Sequence, residues 1–109
     1  MKTELGKIQE VTIGYGGYQD AQLGIGFTFC GKGWGIGIGC YRAWGTERSV
    51  DTKWTEQERI IALGETFMEI KKWLDDAGVK DVYELKGKPV ECTFDGMELK
   101  SWRILTEVL

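Results

Sequence analysis

Glycine occupies every second position from Gly31 to Gly39, with Lys32, Trp34, Ile36 and Ile38 between. A period of two is the period of a strand, so the glycines share one face. A tight glycine-containing connection between two β-rich runs also signals a hairpin. With Lys32 and Gly33 as the turn residues, Gly26 faces Gly39, Thr28 faces Gly37 and Cys30 faces Gly35. The other face then pairs Phe27 with Ile38 and Phe29 with Ile36. One side of the hairpin is bulky and apolar; the other is nearly bare backbone. Cys40 falls opposite Ile25, about five residue pairs from Cys30, which at ~3.3 Å per residue is beyond disulfide reach.

A glycine inside a strand loses chain entropy and packs nothing, so a bare face calls for a reason. Close approach of another backbone is one: a helix, a second sheet or a second copy of the chain. A shallow platform for a flat ligand or partner loop is another, with Gly26, Gly35, Gly37 and Gly39 as its floor. Tyr15, Tyr18, Tyr41 or Trp34 would supply its walls. Sheet curvature alone is the third.

The remaining patterns place this hairpin in an α+β domain spanning residues 1–109. Strand candidates are Gly6–Tyr15, Leu23–Cys30 and Trp34–Trp44. Thr55-Glu-Gln-Glu58 is a capping box, and Ile60, Leu63, Phe67, Ile70, Leu74 and Ala77 recur at helical spacing until Gly78 stops the helix. Ile61, Met68 and Trp73 widen its apolar stripe, so the helix is expected to touch more than one surface. At ~1.5 Å per residue it is roughly 33 Å long, enough to cross a small sheet. Val79, Val82 and Leu85 suggest a short helical turn ended by Gly87. Pro89 suits a strand start. Val90, Cys92 and Phe94 alternate with polar residues up to Asp95-Gly96, which reads as a two-residue turn. That turn sets Glu91 against Lys100, Thr93 against Glu98 and Cys92 against Leu99, with a bulge near Lys100–Ser101 where the apolar parity flips. The order β-β-β-α-(short α)-β-β predicts a single antiparallel sheet with one long amphipathic helix packed on it.

Composition narrows the function. The 109 residues include no histidine, which removes the commonest general base and metal ligand. A net charge of −3 argues against a broad nucleic-acid or anionic-membrane surface. The glycines gather in residues 1–54, 12 of 16, where net charge is +1 against −4 in 55–109. No linker separates the halves, so the shift marks sheet against helix within one domain. No apolar run reaches the roughly 20 residues of a membrane span, and the first ten residues lack a signal-peptide core, so a cytoplasmic location is expected. Cys30, Cys40 and Cys92 have neither CxxC nor zinc spacing and read as reduced, buried small hydrophobes.

Residues that imitate catalytic motifs fail on context. Gly26 to Lys32 resembles the start of a phosphate loop, but Gly33 stands where Ser or Thr should be and a hairpin follows where a helix should begin. Glu65 and Glu69 lie one turn apart on the helix and read as a solvated face. Asp20, beside Tyr18 after Gly16-Gly17, is a candidate for a functional loop or for a cap on the next strand. No base accompanies the cysteines. No catalytic residue, metal or cofactor is therefore assigned. Five tryptophans exceed the needs of one small core. Trp44 and Trp54 flank a charged loop holding Arg48, so Trp44, Arg48 and Trp54 are candidates for a protein interface or for closing the sheet edge.

Three runs carry a resemblance: Gly14-Tyr-Gly-Gly-Tyr-Gln-Asp-Ala21, Gly31-Lys-Gly-Trp-Gly35, and the ending from Gly87-Lys-Pro-Val to Leu109. Together they resemble small proteins of temperate bacteriophages and prophages. The resemblance brings no catalytic residue with it. It implies a bacterial host cytosol and a protein useful to a phage; with the bare glycine ladder, the surplus aromatics and the missing catalytic groups, a non-enzymatic accessory binding protein is expected. Such a protein would inhibit host defence by blocking a host protein or sequestering a small signalling molecule. The alternatives are a phage structural or assembly protein that self-associates, and a small enzyme without histidine chemistry. A homo-oligomer is expected through the glycine face or the sheet edge, with no membrane and no direct nucleic-acid contact.

Overall fold

The computed structural model describes residues 1–109. Strands β1 (Lys2–Gly16), β2 (Gln22–Gly31), β3 (Trp34–Trp44), β4 (Pro89–Asp95) and β5 (Glu98–Ile104) form one antiparallel sheet in the order β3-β2-β1-β4-β5. The helix α1 (Glu56–Ala77) lies between β3 and β4 in sequence, followed by a 3-10 turn at Val82–Leu85. The fold is the α+β arrangement that the patterns predict.

The β2–β3 register is the one the glycine spacing dictates: Gly26 opposite Gly39, Thr28 opposite Gly37, Cys30 opposite Gly35 and Ile25 opposite Cys40. Lys32 and Gly33 make the turn, and Gly33 has φ +79°, which favours glycine. The three cysteines are free thiols; Cys92 is buried, and Cys30 and Cys40 are half-buried. The second hairpin departs from expectation. Asp95 pairs with Glu98, so the turn residues are Gly96 and Met97 rather than Asp95 and Gly96. Gly96 takes φ +62° and Met97 does not have positive φ, the pattern of a turn that needs glycine only at its first central position. Leu99 therefore faces Phe94, Trp102 faces Cys92 and Arg103 faces Glu91. The expected bulge is present, with Lys100 as the extra residue.

The helix begins as its sequence requires. The Thr55 hydroxyl accepts from the Glu58 amide at 3.1 Å, and the Glu58 carboxylate accepts from that hydroxyl at 3.2 Å. It ends at Gly78 with φ +69°, whose amide donates to the Leu74 and Asp75 carbonyls. Its inward residues correct the expected stripe. Thr66, Ile70 and Ala77 are buried and Trp73 and Leu74 pack against the core, but Ile60 and Phe67 face solvent.

The helix covers the bulky face of the sheet. Trp73 meets Phe27 edge-on at 4.9 Å and stacks on Trp102 at 5.4 Å. Trp102 on β5 also approaches Phe29 on β2 to 4.7 Å, although β1 and β4 lie between those strands. In a flat sheet three strand spacings are about 14 Å, so the sheet curls around the C-terminal half of α1. Extra residues at Gln9 in β1 and Lys100 in β5 supply local bends. The other face carries no layer. The molecule measures 49 × 33 × 19 Å, and only 17 of its 109 residues are buried, as suits two thin layers.

Candidate functional site

The glycine side of the hairpin lies on the uncovered face, so α1 is not what the glycines accommodate. Side-chain carbons built onto them separate two kinds of glycine. At Gly16, Gly26 and Gly39 an added Cβ would collide with the Tyr41 side chain. These three belong to β1, β2 and β3, so the ring lies flat across the sheet, with its hydroxyl above Gly26 beside Thr12. An aromatic ring covering strand glycines restores packing that glycine forfeits. At Gly35 and Gly37 the situation is opposite. The nearest atoms to an added Cβ lie at 3.6 and 3.8 Å, ordinary contact distances, and neither residue has positive φ. Nothing within the fold requires glycine at either position.

Between Tyr41 and this bare stretch lies a trough of about 490 Å³. Gly26, Gly37 and Gly39 form its floor, and Glu10, Thr12, Gly17 and Thr28 border it with Tyr41. The Thr28 hydroxyl oxygen is buried and has no hydrogen-bond partner. Glu10 is the one charged residue at the border, and Lys86 already donates to its carboxylate at 3.0 Å. Sequence reasoning placed Thr28 in the hairpin register but passed over Glu10 and Thr12. Their polar parity on β1 was the available signal, and the extra residue at Gln9 shifts it.

Of the predicted walls, only Tyr41 stands on this face. Trp34 is a correction: it pairs with Gly31 and shares parity with Ile36, so it lies on the helix side. There its ring covers Gly6 and Gly31 and meets Phe94 edge-on at 5.4 Å. Tyr15 is a second correction. It pairs with Leu23 in the helix-side row, and its ring covers Gly45. Tyr18 and Asp20 sit in an exposed 3-10 turn beyond the trough, next to Gly17. Gln19 and Asp20 both adopt left-handed backbone, with φ 52° and 53°. The Asp20 amide donates to the Gly17 carbonyl, while its carboxylate makes no hydrogen bond and caps nothing.

The tryptophan loop is folded against the helix. Arg59 stands 4.2 Å from the Trp54 ring centre, and Arg48 stands 5.8 Å from it while its Nε donates to the Trp54 carbonyl. Arg59 also donates to the Thr46 carbonyl at 2.7 Å, closing the loop onto the first turn of α1. Trp44 is half-buried at the end of β3, opposite Gln22. The surplus of tryptophan has an internal use as well, because Trp34, Trp73 and Trp102 pack against the core.

One polar cluster joins sheet to helix. Arg42, the extra residue where β3 is bulged, donates to Glu69 at 2.5 Å. That bond holds the Glu69 carboxyl below its ordinary range and raises Arg42. Burial, reinforced by Glu69, pushes the Cys40 thiol up. Burial alone pushes Cys92 up to about 11. Both thiols are thus held in the protonated form, the reverse of what a nucleophile needs.

No protein-family model, curated protein or solved structure matches the chain. No helix is long and apolar enough to cross a membrane.

Proposed function

We propose that this protein works by binding rather than catalysis, and that its partner lies against the glycine-floored face of the sheet. Gly35 and Gly37 carry the reading. Glycine in a strand is destabilising by roughly 0.5–1 kcal/mol relative to alanine, and at these two positions the fold itself leaves room for a Cβ. A surface kept bare where side chains would fit suits a partner that approaches the backbone closely.

The trough's chemistry favours a polypeptide over a charged small molecule. No lysine or arginine lines it, and Lys86 beside its border is already paired with the Glu10 carboxylate, so a phosphate-bearing signal molecule would meet no unpaired cation among the lining residues. A protein loop would find bare strand backbone, the Thr12 and Thr28 hydroxyls and the Tyr41 ring. Together with the phage resemblance, this supports an accessory protein in the bacterial host cytosol that inhibits a defence system by blocking a host protein. Self-association as an assembly protein is the second reading. The edge strand β3, Trp34–Trp44, favours it, since it has no lysine or proline to discourage strand addition.

Gly37→Val tests the first reading. The variant should fold with an unchanged melting profile and lose the host protein that the wild-type chain retains on purification. Retention of that protein by Gly37→Val, or polymerisation of wild type with rising concentration, would count against it.

A further inference from the structure

The two edges of the sheet are built differently. The β5 edge carries Glu98, Lys100 and Arg103, is bulged at Lys100, and has Arg103 folded back onto Glu91 and Glu107. Charge and a bulge are devices that keep an edge from pairing with another chain. At the β3 edge no charged residue stands between Trp34 and Tyr41, and the bulge comes only at Arg42. The backbone there is open as well. The two-residue turn at Lys32 and Gly33 makes Gly31 and Trp34 a hydrogen-bonded pair, and the alternation of an antiparallel ladder then turns the polar groups of Ile36 and Ile38 towards β2. The amides and carbonyls of Gly35, Gly37 and Gly39 therefore point out of the sheet. All three residues are exposed, and none bonds outside the ladder. Helix α1 leaves this stretch open: Glu69 meets Arg42 beyond it, and by Trp73 the helix has moved inward to Phe27 on β2.

We propose that two copies of this chain join β3 to β3, antiparallel about a two-fold axis at Gly37, and that each copy completes the other's trough. Gly35 selects the occupant. It is as bare as Gly37 and nothing within the fold requires glycine there, yet it lies outside the trough of a single chain. The two-fold sets Gly35 opposite the partner's Gly39, on the floor of the partner's trough. It also sets Ile36 opposite the partner's Ile38 and Trp34 opposite the partner's Cys40, so the apolar rows meet on the helix side and the bare rows on the open side. The outward groups of the three glycines on each chain then form about six backbone hydrogen bonds. A strand that pairs with its own copy must face its own charges, and from Trp34 to Tyr41 there are none. The nearest ones fall at the ends, where Lys32 in the turn approaches the partner's Arg42, whose charge Glu69 already holds. Because β5 is guarded, pairing uses β3 on both sides and closes at two copies. The two troughs become one bare surface with a Tyr41 ring at each of two diagonal corners. That shared site rests on the glycine-face reading above; the pairing of the strands does not.

Sedimentation velocity over a concentration series tests this. Wild type should pass from monomer to dimer and stop there. Gly37→Pro removes an outward amide and spares the β2–β3 ladder, as proline on an edge can, and should raise the dissociation constant at least about tenfold. Gly37→Lys and Gly37→Glu keep the amide but set like charges opposite each other at the axis. Each should weaken the dimer, and an equimolar mixture should restore it as a heterodimer, so the test does not depend on the proline variant folding. Wild type that stays monomeric or grows beyond two copies, a dimer indifferent to a folded Gly37→Pro, or a mixture no stronger than its components would overturn the proposal. Gly37→Val separates the pairing from the glycine-face reading, because valine keeps the amide while covering the floor. A dimer that persists in Gly37→Val together with the host polypeptide overturns that reading and leaves the pairing. A monomeric wild type whose host polypeptide is lost in Gly37→Val overturns the pairing and leaves that reading.

Discussion

Single glycines in this sheet differ by what stands over them, and that difference sets opposite outcomes for similar substitutions. A Cβ at Gly24 would drive into the Cys40 carbonyl oxygen, a backbone atom at the β3 bulge that has little freedom to yield. Gly24→Ala should therefore lower stability by about 1–3 kcal/mol. A Cβ at Gly37 meets only ordinary contacts, and valine replaces a poor strand former with a good one, so Gly37→Val should hold stability or raise it by up to about 1 kcal/mol. Urea denaturation of the two variants beside wild type checks both signs. The period-two spacing made every pair of the first hairpin legible, from Gly26 opposite Gly39 to Cys30 opposite Gly35. It did not reveal which glycines are covered, because that depends on Tyr41 reaching across three strands. Trp34 and Tyr15 were legible in principle, since strict parity puts both in the row of Ile36 and Leu23.

Among the elements, α1 has the plainest ends and the least legible faces. Thr55 and Gly78 fix where it starts and stops, and Thr55→Ala should cost about 1 kcal/mol in thermal or urea unfolding. Which residues turn inward depends on where the rod crosses the sheet, and a helix with two apolar sides does not announce that. Ile60 and Phe67 fit the inward spacing but face solvent, while Thr66 is buried with its hydroxyl donating to the Ala62 carbonyl at 2.9 Å. The Asp95-Gly96 turn erred for a related reason: Gly96 is the decisive residue, and it serves as the first of the pair rather than the second. Between α1 and β3, the Arg42–Glu69 bond gives a pH signature. The folded-state Glu69 carboxyl lies below its ordinary value, so its contribution is complete above the usual carboxylate range and is lost as pH falls through the depressed value. Both side chains are about one-third exposed, so Glu69→Ala should remove less than about 1 kcal/mol at neutral pH. The gap from wild type should close in strongly acidic buffer. A gap that widened as pH fell would contradict this assignment.

At the scale of the molecule, one layer of helix covers one face of a curled five-stranded sheet, and the other face carries no layer, with the Tyr41 ring, bare glycines, threonines and the Glu10 carboxylate around its trough. The fold class followed from the alternation of short strands with one long amphipathic run. The trough followed only in part, because its floor is written in the glycine spacing while its polar border depends on the displacement at Gln9. The identity of a partner is written in neither. The most direct test is a native mass spectrum of the wild-type protein gently purified from a bacterial host, beside Gly37→Val prepared the same way. Wild type should carry the added mass of a host polypeptide, absent from a variant that melts at the same or a higher temperature. Bare wild-type protein, or the same added mass on both chains, would contradict the claim that the bare glycine face exists to be occupied.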